Sequence, residues 1–167
     1  GKPGGEKPAD RPMPTLTRGP GEEGVAKKSV MLRKPRLWGP PPTQTPHLYV
    51  AVTRVRRGQE LADVYETPFG IRDVQWDPDR GAIVNGEHVR IQGVNMHHDL
   101  GALGAAFNFR AAERQLEMLR ELGCNAIRMS HNPPAPELLE LTDRMGFLVI
   151  DESFDVWERK KTPLDFH

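Results

Sequence analysis

The chain has 167 residues, with 23 basic and 23 acidic side chains, so balanced charge removes any long-range pull toward nucleic acid or an anionic membrane. Apolar residues make up 37%, and no apolar run approaches the length that spans a bilayer. Glycine and proline are abundant, at 16 each, and there is room for one domain but hardly for two.

Residues 1–34 are rich in Pro, Gly, Lys and Glu. Such a segment buries too little apolar surface to offset its ordering entropy, so it is expected to be disordered or poorly ordered. It contains no signal-peptide core, and the compartment of the parent protein, cytoplasmic, periplasmic or secreted, stays open. From Pro35 the text changes. Leu37-Trp38-Gly39 precedes the prolines at 40–42, and Leu48 to Val55 is β-branched and aromatic, which predicts a strand ending at Arg57-Gly58. Glu60 to Thr67 is expected to pair with it. Val74-Gln75-Trp76, a turn at Asp77 to Gly81, and Ala82-Ile83-Val84 before Asn85-Gly86 predict a hairpin whose returning strand is His88 to Ile91.

Ile91 to His98 then runs from an apolar strand into polar groups. After a small-residue loop, Asn108 is a fitting N-cap for a helix over 109–122. Its apolar stripe is Ala112, Leu116 and Leu119, with Met118 and Leu122 beside them, and Gly123 ends it. Cys124 to Met129 predicts a second strand, running into Ser130-His131-Asn132-Pro133-Pro134; Cys124, the one cysteine, reads as a small buried hydrophobe. Pro136 opens a helix to Met145, with Leu138, Leu139, Leu141 and Met145 inward and Gly146 closing it. Phe147 to Ile150 is a continuous apolar run, as in a buried parallel strand, and it leads into Asp151-Glu152. Trp157 and a short basic run, Arg159-Lys160-Lys161, follow.

Strand, helix, strand, helix, strand, each strand ending in polar residues, describes the start of a parallel α/β sheet or barrel, in which ligands bind at the carboxyl ends of strands. A closed (β/α)8 barrel needs about 250 residues, so the chain reads as the opening part of one.

The strand-end residues suggest two chemistries. In one, His97, His131, Asn132 and Asp151 hold sugar hydroxyls while Trp157 stacks on a ring. In the other, His97, His131 and Asp151 bind a metal ion in a hydrolase, although no close ligand pair such as H-x-H or H-E-x-x-H is present. Bland roles stand beside both: a histidine at a strand end is often a structural hydrogen-bonder, and Trp157 also suits a core. Arg128, inside an apolar strand, needs a carboxylate, and Asp151 or Glu152 on the next strand can provide it.

Asn85-Gly86, Gly93-Val94-Asn95-Met96-His97-His98-Asp99, Asn125-Ala126-Ile127-Arg128-Met129-Ser130-His131-Asn132-Pro133-Pro134 and Gly146-Phe147-Leu148-Val149-Ile150-Asp151-Glu152 closely resemble glycoside hydrolase family 2. That family includes β-galactosidases, β-glucuronidases and β-mannosidases. The resemblance runs from about Leu37 to His167, and 1–34 do not look like the strands the family would place there. It implies the end of an immunoglobulin-like β-sandwich over 35–72 and the N-terminal portion of a TIM barrel over 73–167. It further implies that His97 and His131 contact the sugar, with Asn132, Asp151, Glu152 and Trp157 as further substrate-side residues. Arg128, together with His98 and Asp99, would support the active site. No cofactor is implied, and the partner is a β-linked carbohydrate, with a homo-oligomeric parent enzyme compatible with the family.

Some members bind magnesium through a Glu-x-His just after the acidic pair; Val156-Trp157-Glu158 stands here instead, so no metal site is expected. A retaining glycosidase needs two carboxyls about 5–5.5 Å apart. Asp151 and Glu152 are neighbours on a strand and point to opposite faces, so they do not make that pair. Both catalytic glutamates are expected beyond His167, which would leave this chain inactive alone. A truncated carbohydrate-binding module is the alternative from another functional class.

Overall fold

A computed structural model describes residues 13–154, 156 and 158–164. Residues 13–35 belong to a separate unit and form no helix or strand; the part of the disorder expectation that concerns residues 1–12 lies outside the described residues.

In the second unit, β1 (Leu48–Arg57) and β2 (Glu60–Gly70) form an antiparallel ribbon joined at Gly58. Gly58 takes φ +61°, open to glycine without strain. The register shifts between Val55 and Arg56, marking a bulge. Valines 50, 52, 55 and 64 are all exposed along this ribbon. It is therefore held by its ladder rather than by a core of its own.

Next come β3 (Val74–Asp77), β4 (Gly81–Val84) and β5 (Glu87–His88), an antiparallel sheet in that order. Asn85 and Gly86 both have positive φ, +56° and +81°, the geometry of the turn that Asn-Gly favours. The returning strand is shorter than expected. It stops at His88, because the chain must leave the hairpin to enter the parallel sheet. Asp77 closes the other turn, accepting from the backbone N–H groups of Asp79 and Arg80.

The third sheet is parallel, with β6 (Gly93–Met96), β7 (Ala126–Met129) and β8 (Leu148–Ile150) in sequence order. Gly93 lies so close to β7 that a Cβ there would sit 2.7 Å from the Ala126 carbonyl oxygen. Crossovers are made by α1 (Phe109–Glu121) and α2 (Pro136–Met145). The Asn108 side chain accepts from the Ala111 N–H at 3.0 Å, which caps α1. Gly146 ends α2 in the left-handed region.

Ala112, Leu116, Ile127, Met129, Leu138, Leu141 and Phe147 form the core between helices and sheet, with Leu119, Cys124 and Met145 packed at its margin. Two residues expected on the α1 stripe are outside it: Met118 is 40% exposed and Leu122 79%. Helical periodicity marks a face wider than the one the sheet covers, and these two lie on its flank. Thr142 is buried instead, its hydroxyl donating to the Leu139 carbonyl at 2.8 Å.

A smaller cluster surrounds Trp38, which is 2% exposed. Its indole N–H donates to the Asp143 carbonyl at 2.7 Å, and the Arg72 guanidinium lies 4.5 Å from its ring centroid. The Asn85 amide donates to the Trp38 carbonyl, and Gln44 links Asn85 to the Val84 carbonyl. Burial pushes the Asp143 carboxyl above its ordinary pKa, opposed by the charge of Arg72. A Cβ on Gly70 would approach Trp38 to 2.9 Å, so this glycine makes room for the indole.

Candidate active site

The carboxyl ends of β6, β7 and β8 gather the polar residues. In the parallel register Asn95 lies beside Arg128, and Arg128 beside Ile150. Side chains two residues apart on a strand share a face. Glu152, two beyond Ile150, therefore comes to the side of the sheet occupied by Arg128, while Asp151 is directed away and is exposed. This resolves the partner of Arg128. Its Nε donates to Glu152 Oε1 at 2.7 Å, and its Nη2 lies 2.5 Å from the same oxygen. Nη1 donates to Asn95 Oδ1 at 3.3 Å and to Ser130 Oγ at 3.4 Å.

The second oxygen of Glu152 is also engaged. His131 Nδ1 stands 2.9 Å from Oε2. The His97 ring meets the His131 ring edge-on, with centroids 5.7 Å apart. The peptide between Ser130 and His131 is cis. Asn95 thus anchors Arg128, Arg128 anchors Glu152, and Glu152 anchors His131, which faces His97. The half-exposed His131 and Arg128 flank a Glu152 side chain that is only 19% exposed.

The hydrogen bond from His131, followed by those from Arg128, holds the Glu152 carboxyl below its ordinary value of 4.5, with partial burial opposing. Its folded-state pKa is depressed, so its stabilisation is complete above about pH 4.5 and is lost as pH falls through the lower folded value. Between about pH 5 and pH 3 the chain is expected to lose more stability than its Glu152→Gln variant does. Urea midpoints of both proteins across that range measure the difference; parallel curves would show that Glu152 contributes none of it.

The other predicted residues are not drawn into this cluster. Asn132 and Asp151 are exposed. Asp99 turns its carboxylate to its own loop, accepting from the Gly101 N–H at 2.8 Å. His98 lines a cavity of about 110 Å3 with Leu100, Phe107, Met129 and Leu138. Trp157 lies outside the described residues. Sequence reasoning assigned no role to Asn95 or Ser130, yet both bond Arg128; the signal for Asn95 was its place in a strand parallel to Arg128. Among the described residues no group of three or more His, Cys, Asp or Glu side chains is placed to hold a metal ion. His97, His131 and Asp151 therefore do not assemble the ligand set of the metal-hydrolase alternative.

Comparison with known proteins decides the family. The family model described as glycosyl hydrolases family 2, TIM barrel domain, matches residues 78–158, and that described as glycosyl hydrolases family 2 matches residues 2–72. The chain belongs to glycoside hydrolase family 2. Within that family it is 53% identical over 146 residues to a beta-galactosidase of Bacteroides ovatus, an alignment that covers 87% of this chain and 17% of the relative. It is 39% identical over 143 residues to a putative beta-glucuronidase of Formosa agariphila, covering 84% and 13%. Among solved structures, a family 2 member from Bacteroides cellulosilyticus superposes with a TM-score of 0.72 at 40% identity, covering 78% of this chain and 16% of that one. A beta-glycosidase from Bacteroides vulgatus gives 0.73 at 38%, with the same coverage. The chain thus spans less than a fifth of the length of each of these family 2 proteins.

Proposed function

We propose that this chain supplies the first strands of a (β/α)8 barrel in a retaining glycoside hydrolase acting on terminal β-galactosides. On this reading 35–72 are the end of the immunoglobulin-like sandwich and 73–167 the start of the barrel. The observation that carries it is the linked set Asn95, Arg128, Glu152 and His131 at the carboxyl ends of three parallel strands, where such barrels bind substrate. The choice of galactoside rests on the 53% identity to the Bacteroides ovatus beta-galactosidase.

His97 and His131 contact the sugar, Asn132 is a further substrate-side residue, and Arg128 braces the floor. Glu152 belongs to the substrate side as the group beneath His131. It is ill suited to the chemistry itself. A general acid must hold a proton at working pH, whereas this carboxyl is shifted down and both its oxygens already have hydrogen-bond partners. On this reading the acid/base and nucleophile of the double displacement are two other carboxyls, set about 5–5.5 Å apart, and the family resemblance puts both beyond His167.

The test compares the purified 167-residue chain with the product of its reading frame extended on both sides. Both are assayed on 4-nitrophenyl β-galactoside and β-glucuronide, and proton NMR reads the anomer of the first-formed sugar. The expected result is no turnover by the short chain, and β-galactose released first by the longer one. Turnover by the short chain alone, or release of the α-anomer, overturns the proposal.

A further inference from the structure

We propose that Glu152 is a positioning residue that holds His131 as its Nδ1–H tautomer, so that Nε2 is presented at the rim as a hydrogen-bond acceptor for a substrate hydroxyl. The role of Nε2 rests on the glycosidase reading above; the tautomer control does not.

What each group can donate fixes the direction of these hydrogen bonds. Arg128 has only N–H groups to offer, and two of its nitrogens are directed at Glu152 Oε1. That leaves Oε2 for His131, whose Nδ1 is 2.9 Å away. An ionised carboxylate can only accept, and Glu152 is held in its ionised form by these same two partners. Nδ1 must therefore carry the proton. In the neutral ring the lone pair then resides on Nε2, for which the structure shows no protein partner among the described residues. An isolated neutral histidine side chain prefers the opposite arrangement, with the proton on Nε2. Glu152 thus changes what His131 offers to a ligand, from a donor to an acceptor. A sugar hydroxyl can meet an acceptor with its own O–H, and this fixes the direction of that hydrogen bond.

Arg128 and Asn95 make the arrangement rigid. Nη1 of Arg128 donates to Asn95 Oδ1 and to the hydroxyl of the buried Ser130, so the guanidinium plane is set from two strands. With Oε1 engaged by that plane, Oε2 has one orientation left. The edge of the His97 ring against His131 limits rotation on the other side.

Glu152→Gln is a discriminating variant because it keeps the shape and inverts the logic. Arg128 can only donate, so the new amide must turn its carbonyl oxygen to Arg128 and its NH2 to His131. An NH2 group facing Nδ1 demands an acceptor there, which drives the proton to Nε2. Long-range 15N–1H correlation spectra of the 15N-labelled 167-residue chain at about pH 8.5, above the ordinary imidazole range, read the tautomer directly. Loss of one ring system in His131→Gln assigns the signal.

The expected result is a protonated Nδ1 and a bare Nε2 in the parent chain, exchanged in Glu152→Gln. A parent chain with Nε2–H, or with the averaged signals of a free histidine, overturns the proposal. So does a folded Glu152→Gln chain whose tautomer is unchanged. If that variant does not fold, the parent spectrum alone decides. Adding methyl β-galactoside separates the two layers. A shift of the His131 Nε2 resonance supports its acceptor role, whereas an unmoved Nε2 in a chain with the expected tautomer overturns the sugar contact and leaves the control by Glu152 standing.

Discussion

Arg128→Ala in the extended enzyme is expected to lower kcat/KM by about 100-fold, the scale of loss when positioned groups drift by about 1 Å. Arg128 fixes Glu152 Oε1 and is itself fixed by Asn95 and Ser130, so its removal frees a carboxylate and, through it, the ring of His131. Arg128→Lys should recover only part of this. Lysine places one compact ammonium where the guanidinium presents a planar fork, and it cannot reach Glu152 and Asn95 together. Steady-state kinetics on 4-nitrophenyl β-galactoside measure both variants. A loss below about threefold in Arg128→Ala would show that the rim holds its geometry without the arginine.

The largest stability effect is expected at Leu141. Its side chain is fully buried between α2 and the parallel sheet, in contact with the cluster of Leu116, Ile127 and Leu138. Leu141→Ala removes that surface and leaves a cavity in the core, so a loss of about 3 kcal/mol is expected. The neighbouring Leu139, on the less buried flank of the same helix, should lose about 1 kcal/mol or less on the same change. Urea unfolding of the two variants gives the contrast, and equal losses would place the core elsewhere.

These two sites show which parts of the molecule are legible in its sequence. Local signals were readable because their cause is local. Asn108 caps its helix through its own side chain, Asn85-Gly86 takes the positive φ angles its turn requires, and Gly146 closes α2 in the left-handed region. The parallel sheet was readable from three apolar runs separated by helical periods. Harder to read was anything set by register. Asp151 and Glu152 were equal candidates for Arg128 until the pairing of Arg128 with Ile150 fixed which face each takes. The same register hid the role of Asn95. Met118 and Leu122 were misplaced because a helix's apolar stripe does not state how much of it the neighbouring sheet will cover.

Least legible was Trp38, whose hydrogen-bond partner lies 105 residues further along the chain. The indole bonds the end of α2, the Trp38 carbonyl takes the Asn85 amide of the hairpin, and Arg72 covers the ring. The two family models meet in the sequence between residues 72 and 78, whereas this contact crosses that line in space. Recombination that exchanged a barrel between two such proteins at that line would leave the Asp143 carbonyl to find a new indole donor. The segment from about Arg36 to His47 is therefore fitted to the residues beyond that line through Trp38 and Gln44, although it precedes them in the chain.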